Sequence, residues 1–117
     1  MEKRFHVPTN KEIAAKAHAL ITDNLSTYDS IPDLARKVGT NAFKLKKIFK
    51  ESYGETIFQF SRRKRIERAK ELLVETNYTL QTIGEMLGYS EGNNFQTSFK
   101  QVVGCTPGAF RKVKLSS

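Results

Sequence analysis

From Thr9 to Phe110 the apolar residues recur every three or four positions, the rhythm of helices with one buried face. Ile13, Ala14, Ala17, Leu20 and Ile21 mark a first helix, opened by the capping box Thr9-Asn10-Lys11-Glu12 and fading near Asn24 to Asp29. Ile31, Leu34, Ala35 and Val38 mark a second, with Ser30 as N-cap, Pro32 in the first turn and Asp33 near the positive helix end. Gly39 stops it, because a left-handed C-terminal residue is cheapest as glycine. Only Thr40 separates that stop from Asn41, the cap of a third helix carrying Leu45, Ile48 and Phe49 and ending near Tyr53-Gly54. Two short helices joined by so tight a turn form the pattern of a helix-turn-helix.

The longest unbroken segment is Thr56 to Glu75, free of Gly and Pro. At 100° per residue, Ile57, Phe58 and Phe60 centre on one side, and Ile66, Ala69, Leu72 and Leu73 on another, rotated by about 130°. Between them Ser61 to Arg65 holds no apolar residue. The pattern predicts a helix that docks each end into a different small core and leaves its charged middle bare. Its span of roughly 30 Å is close to the ~34 Å between successive major grooves on one face of DNA, which makes it a candidate ruler. Beyond a polar loop at Thr76 to Thr79, Thr79 caps a helix with Leu80, Ile83 and Leu87, ended by Gly88. Ser90 is the expected cap of the next, with Phe95, Phe99 and Val102 inward and Gly104 at its end. Thr106-Pro107 opens a short last helix through Phe110. No strand-like alternation of useful length occurs, so the fold predicted is all-α, about seven helices.

The pattern repeats. A shift of 49 lays Ile31 on Leu80, Leu34 on Ile83, Ala35 on Gly84, Val38 on Leu87, Gly39 on Gly88 and Asn41 on Ser90. A shift of 50 then lays Leu45 on Phe95, Phe49 on Phe99, Lys50 on Lys100 and Gly54 on Gly104. Core, stop and cap positions return in order. The predicted organisation is a lead-in at 1–8, a first helix-turn-helix subdomain at 9–55, a linker helix at 56–75 and a second subdomain at 76–117.

Charge adds a partner class. The net charge of +8 is uneven: residues 1–30 are neutral, 31–75 carry +6 and 76–117 carry +2. A basic centre suits a polyanion, although basic surfaces are often only solvating. The chemistry of catalysis is missing. No Cys/His spacing suits zinc, His6 and His18 lie far from Cys105 in sequence, and no Gly-rich phosphate loop or nucleophile motif occurs. Glu67 and Glu71, with Arg63 and Lys70, read as surface ion pairs of a helix. No cofactor is expected. A single cysteine fits a reducing cytoplasm, and neither a membrane span nor a secretory pattern is present.

Three stretches carry a resemblance. The second repeat reads IGEMLGYSEGNNFQTSFKQVVGCTPGAFR from Ile83 to Arg111; the first supplies L-A-x-x-V-G and L-x-x-x-F-K; the linker supplies R-x-x-R-I-x-x-A-x-x-L-L. Together, over residues 30–113, they resemble the DNA-binding domain of the AraC/XylS family of bacterial transcription regulators. The resemblance implies sequence-specific binding of double-stranded DNA, RNA polymerase as a second partner, and no membrane. Members commonly carry a separate N-terminal sensor or dimerisation domain; this chain is expected to be either the excised module or a short single-domain member. Gly84, where alanine is usual, and Gly92 suggest a weaker, more adaptable second reader, each interior glycine costing about 1 kcal/mol.

In a helix-turn-helix the second helix enters the major groove. With Leu45, Ile48 and Phe49 inward, Ala42, Phe43, Lys46, Lys47 and Lys50 are the first reader's candidates. Phe43 suits a thymine methyl, or else a peripheral core contact, and the lysines suit guanine edges or phosphates. In the second reader Asn93, Asn94, Gln96, Thr97 and Lys100 face the groove, the amides matching adenine. Thr56, Arg62, Ser90 and Thr106 are candidate phosphate contacts beside helix starts and in the basic run. An RNA-binding or protein-interaction module using the same basic helices is the alternative.

Overall fold

The computed structural model describes residues 7–27, 29–90 and 92–116, and for Gly92 and Asn93 the backbone alone. Seven helices and no strand occur among them: α1 (Asn10–Asp23), α2 (Ile31–Lys37), α3 (Ala42–Tyr53), α4 (Ile57–Glu75), α5 (Leu80–Met86), α6 (Gly92–Val103) and α7 (Pro107–Ser116). The packing divides into two units. One holds residues 7–23 and 29–57, the other residues 24–27 and 58–116.

In the first unit α1 and α2 both pack on α3. Ile13, Ala14, Ala17, Leu34, Ala35, Val38, Leu45, Ile48 and Phe49 are buried, while Leu20, Ile21 and Ile31 are half-buried at the rim. The caps fall where side-chain chemistry places them. Thr9 Oγ1 accepts from the Glu12 amide at 3.2 Å and the Glu12 carboxylate accepts from the Thr9 amide at 3.5 Å. Ser30 Oγ accepts from the Asp33 amide at 3.2 Å, and Asn41 Oδ1 from the Lys44 amide at 2.9 Å. Between these helices Gly39 takes φ +84°, a left-handed conformation that favours glycine.

The second unit repeats this frame. Thr79 Oγ1 accepts from the Thr82 amide at 3.0 Å, and Gly88 takes φ +85°. Behind each stop glycine the chain makes the same backbone bond, Thr40 N to Ala35 O in one unit and Tyr89 N to Gly84 O in the other, both 2.9 Å. The core joins Ile66, Ala69, Leu72 and Leu73 of α4 to Ile83, Leu87, Phe95 and Phe99, with Leu80, Tyr89, Val103 and Phe110 packed against it. Phe99 meets Phe95 and Phe110 edge-on, centroids 6.0 and 5.5 Å apart. Thr106 Oγ1 caps α7 at the Ala109 amide, 3.1 Å, above a buried Pro107.

Four expectations need correction. Val102 does not face inward: it is 44% exposed, and Val103 takes the inner place because the buried line Phe95–Phe99 continues every fourth residue. Phe58 is 67% exposed, so the buried start of α4 consists of Ile57 and Phe60. Glu71 pairs with Arg68 at 2.6 Å, one turn back, while Glu67 takes Arg63 at 2.8 Å and Lys64 at 3.5 Å.

The fourth concerns the middle of α4, which is not bare. Arg65 is 2% exposed, Ser61, Arg62 and Lys64 are half-buried, and only Arg63 stands out in solvent. Arg65 Nε is shared between the carbonyls of Leu25, 2.8 Å, and Leu87, 3.0 Å. Its Nη2 donates to Thr27 O at 3.3 Å and its Nη1 to Ser61 Oγ. A guanidinium has five donors and no acceptor, so carbonyls from separate segments can converge on it. It thereby ties the connection after α1, α4 and the C-cap of α5 into one unit.

Candidate nucleic-acid interface

Each helix-turn-helix presents the outer face of its second helix. On α3, Leu45, Ile48 and Phe49 are drawn into the core, and helical geometry turns Phe43, Lys47 and Lys50 to the opposite side. Lys46 lies on the flank one turn from Phe43, so these four side chains form one contiguous patch. All four are exposed, Phe43 at 79%, and Ala42 is half-buried beside them. Phe43 is therefore no peripheral core contact. A large ring standing in water among three lysines leaves its area unburied. Lys44 and Glu51 lie on the other flank, Glu51 one turn from Lys47.

The equivalent face of α6 has different chemistry. Asn94, Thr97 and Lys100 are exposed and Gln96 is half-buried at the edge. The side chain of Asn93 lies outside the described residues, as does the partner side of the cap expected of Ser90, which is exposed two positions before the helix start. Lys46 and Lys47 of the first face correspond to Gln96 and Thr97 of the second. One face is cationic with an aromatic; the other is neutral and polar apart from Lys100.

The candidate phosphate contacts are dispersed. Thr106 Oγ1 is engaged as a cap, and Thr56 is exposed just before α4. Arg62 turns toward α6, where its Nη2 donates to Gln101 Oε1 at 2.6 Å and to Ser98 O at 3.5 Å. His18 stacks at a tilt on Tyr53, centroids 4.8 Å apart, while His6 lies outside the described residues. Cys105 is half-buried and free. No cluster of three His, Cys, Asp or Glu able to hold a metal occurs among the described residues, and no described helix is long and apolar enough to cross a membrane.

A family model described as a helix-turn-helix domain matches residues 34–113, both helix-turn-helix segments and the helix between them. The chain belongs to the AraC/XylS family. It is 31% identical over 127 aligned residues to the uncharacterized HTH-type transcriptional regulator YtdP of Bacillus subtilis (strain 168), an alignment covering 99% of this chain and 16% of the relative. It is 36% identical over 76 residues to the xylose operon regulatory protein of Escherichia coli (strain K12), covering 65% and 19%. The C-terminal domain of AraT, a response regulator from Geobacillus stearothermophilus, superposes with a TM-score of 0.84 at 25% identity, covering 86% of this chain and 84% of that one. The chain thus spans less than a fifth of the length of these two relatives.

Within this AraC-type domain, three polar residues escaped sequence reasoning or were misplaced by it. Arg65 was masked by its charged neighbours, and only its four-residue spacing from Ala69 on the buried face hints at its burial. Arg111 carries the last position of T-P-x-x-x-R; it donates through Nε to Leu73 O at 2.9 Å and through Nη2 to Thr76 O at 3.4 Å. It therefore satisfies carbonyls at the C-terminal end of α4. Gln101 shares the outer side of α6 with Asn94 and Thr97, which the inward Phe95 and Phe99 alone would indicate.

Proposed function

We propose that this AraC-type domain binds duplex DNA sequence-specifically as part of a transcription regulator, its α3 and α6 reading adjacent major-groove segments. The observation that carries the reading is the exposed Phe43 ringed by Lys46, Lys47 and Lys50 on the second helix of a helix-turn-helix. Phosphates reward the lysines through counterion release, and a thymine methyl covers the ring. Ala42 leaves room for close approach. On α6, Asn93, Asn94, Gln96 and Thr97 supply hydrogen bonds to base edges, with Lys100 on phosphate. Ser90, Thr56 and Thr106 are backbone-side contacts at helix starts. Cationic α3 contributes more of the affinity, and polar α6 more of the discrimination.

The domain acts by binding, without a catalytic step, and RNA polymerase is its second partner. The greater length of its relatives supports a sensor or dimerisation domain working alongside such a module. Competition of a labelled duplex against unlabelled duplex, RNA and heparin tests the reading. Preferential displacement by one class of duplex sequence is expected. Equal displacement by random duplex, or stronger displacement by RNA, would point to the alternative module.

A further inference from the structure

The Arg62–Gln101 pair fixes the chemistry of an exposed amide on the outer side of α6. Arginine only donates, so the Gln101 atom facing Arg62 Nη2 at 2.6 Å has to be the carbonyl oxygen, Oε1. Its NH₂ is then turned away from α4 with two donors available. Arg62 Nη2 also reaches Ser98 O at 3.5 Å, and its Nε is buried without a partner among the described residues. A buried, unsatisfied N–H is a cost that the contacts to α6 must offset.

We infer that Gln101 is a DNA-contacting donor whose polarity is set by Arg62, a positioning residue on a different helix. The inference rests on the DNA-binding reading above. A free glutamine can both accept from adenine N6 and donate to N7. With Oε1 engaged and a cation beside it, Gln101 offers donors only. Its target is therefore an acceptor: a phosphate oxygen, or the acceptor edge of guanine or thymine. Gln101 stands near the C-terminal end of α6, one turn beyond Thr97 and beside Lys100. Recognition helices meet bases mainly through their N-terminal residues, so this position favours phosphate.

Selection from a random duplex library, followed by anisotropy titration and thermal melting, tests the pair. The proteins compared are wild type, Gln101→Ala, Arg62→Met and the double variant. Gln101→Ala is expected to weaken binding about five- to tenfold, the loss of one hydrogen bond to a charged or base acceptor, in protein that the melting curve shows to be fully folded at the titration temperature. If the acceptor is a phosphate, the selected motif stays the same; if it is a base, preference at one position is lost, and Arg62→Met shifts that position toward adenine. The double variant should bind no worse than the weaker single variant, because one contact is removed twice. A wild-type chain that selects no motif would overturn the DNA reading itself. A wild-type chain that selects a motif, with Gln101→Ala keeping both motif and affinity, would overturn this assignment alone. In that case a lower melting temperature for Arg62→Met would mark the pair as a brace between α4 and α6.

Discussion

A β-carbon added to Gly84 would stand 3.1 Å from the Cβ of Phe95 and 3.4 Å from its Cγ. The glycine is buried in α5, and the Phe95 ring is held between Tyr89, centroids 5.6 Å apart, and Phe99 at 6.0 Å. In the repeat, Gly84 and Phe95 correspond to Ala35 and Leu45. The larger residue on the second helix is matched by the smaller one on the first. What reads in sequence as a weak helix is thus a close approach of α5 to the root of the Phe95 side chain, and Gly92, the first residue of α6, is at a helix end where the interior penalty does not apply.

Gly84→Ala should therefore fall short of the ~1 kcal/mol that helix propensity alone would return. In a Phe95→Leu background, where the ring no longer fixes the neighbouring backbone, the same change should gain at least ~0.5 kcal/mol more. Urea unfolding of the four proteins measures this coupling. Strict additivity would show that Gly84 is not there for Phe95.

Arg65→Met tests the buried guanidinium. It removes the guanidinium that bonds the carbonyls of Leu25, Thr27 and Leu87; the buried Leu87 acceptor left dry costs roughly 1–3 kcal/mol, and the two nearer solvent cost less. A loss of about 2 kcal/mol in unfolding free energy is expected, together with faster amide exchange at residues 24–27. Arg63→Met, two residues away on the exposed side of α4 and paired at the surface with Glu67, should change stability by less than about 0.5 kcal/mol. Equal effects from the two would mean that Arg65 is only part of a charged surface.

For the first reader, affinity and stability should separate. Phe43→Ala removes a ring that is 79% exposed, so unfolding should shift by no more than about 0.5 kcal/mol while DNA binding weakens clearly. Lys46→Ala should weaken binding and lower the slope of log K against log salt by about 1, one phosphate contact fewer. Anisotropy titrations at several salt concentrations read both. Unchanged affinity at every concentration would remove these residues from the interface.

The fold was legible wherever local chemistry determined it. Ser30, Asn41, Thr79 and Thr106 cap the helices that follow them, and Gly39 and Gly88 take matching left-handed turns, because caps and stops depend on residue type within a few positions. Periodicity located the core of α3 for the same reason. The middle of α4 was not legible. Arg65 meets backbone carbonyls, which every residue carries and no sequence advertises, so a buried arginine looked like its solvated neighbours. This also changes how α4 is to be tested as a ruler. An insertion near Lys64 would pull Arg65 and Ile66 out of their buried sites, and its damage would report packing within one unit as much as spacing. Gln101 escaped notice because its orientation depends on Arg62, 39 positions away.

In the proposed binding mode α3 and α6 each read their own segment of DNA. Selection of bound sequences from a random duplex library tests it most directly, with wild type, a Phe43→Ala/Lys46→Ala variant and an Asn94→Ala/Thr97→Ala variant run side by side. Two blocks of base preference are expected about one helical turn apart, roughly 10 bp centre to centre, the first variant blurring one block and the second blurring the other. A single block, blurred by both variants, would contradict it.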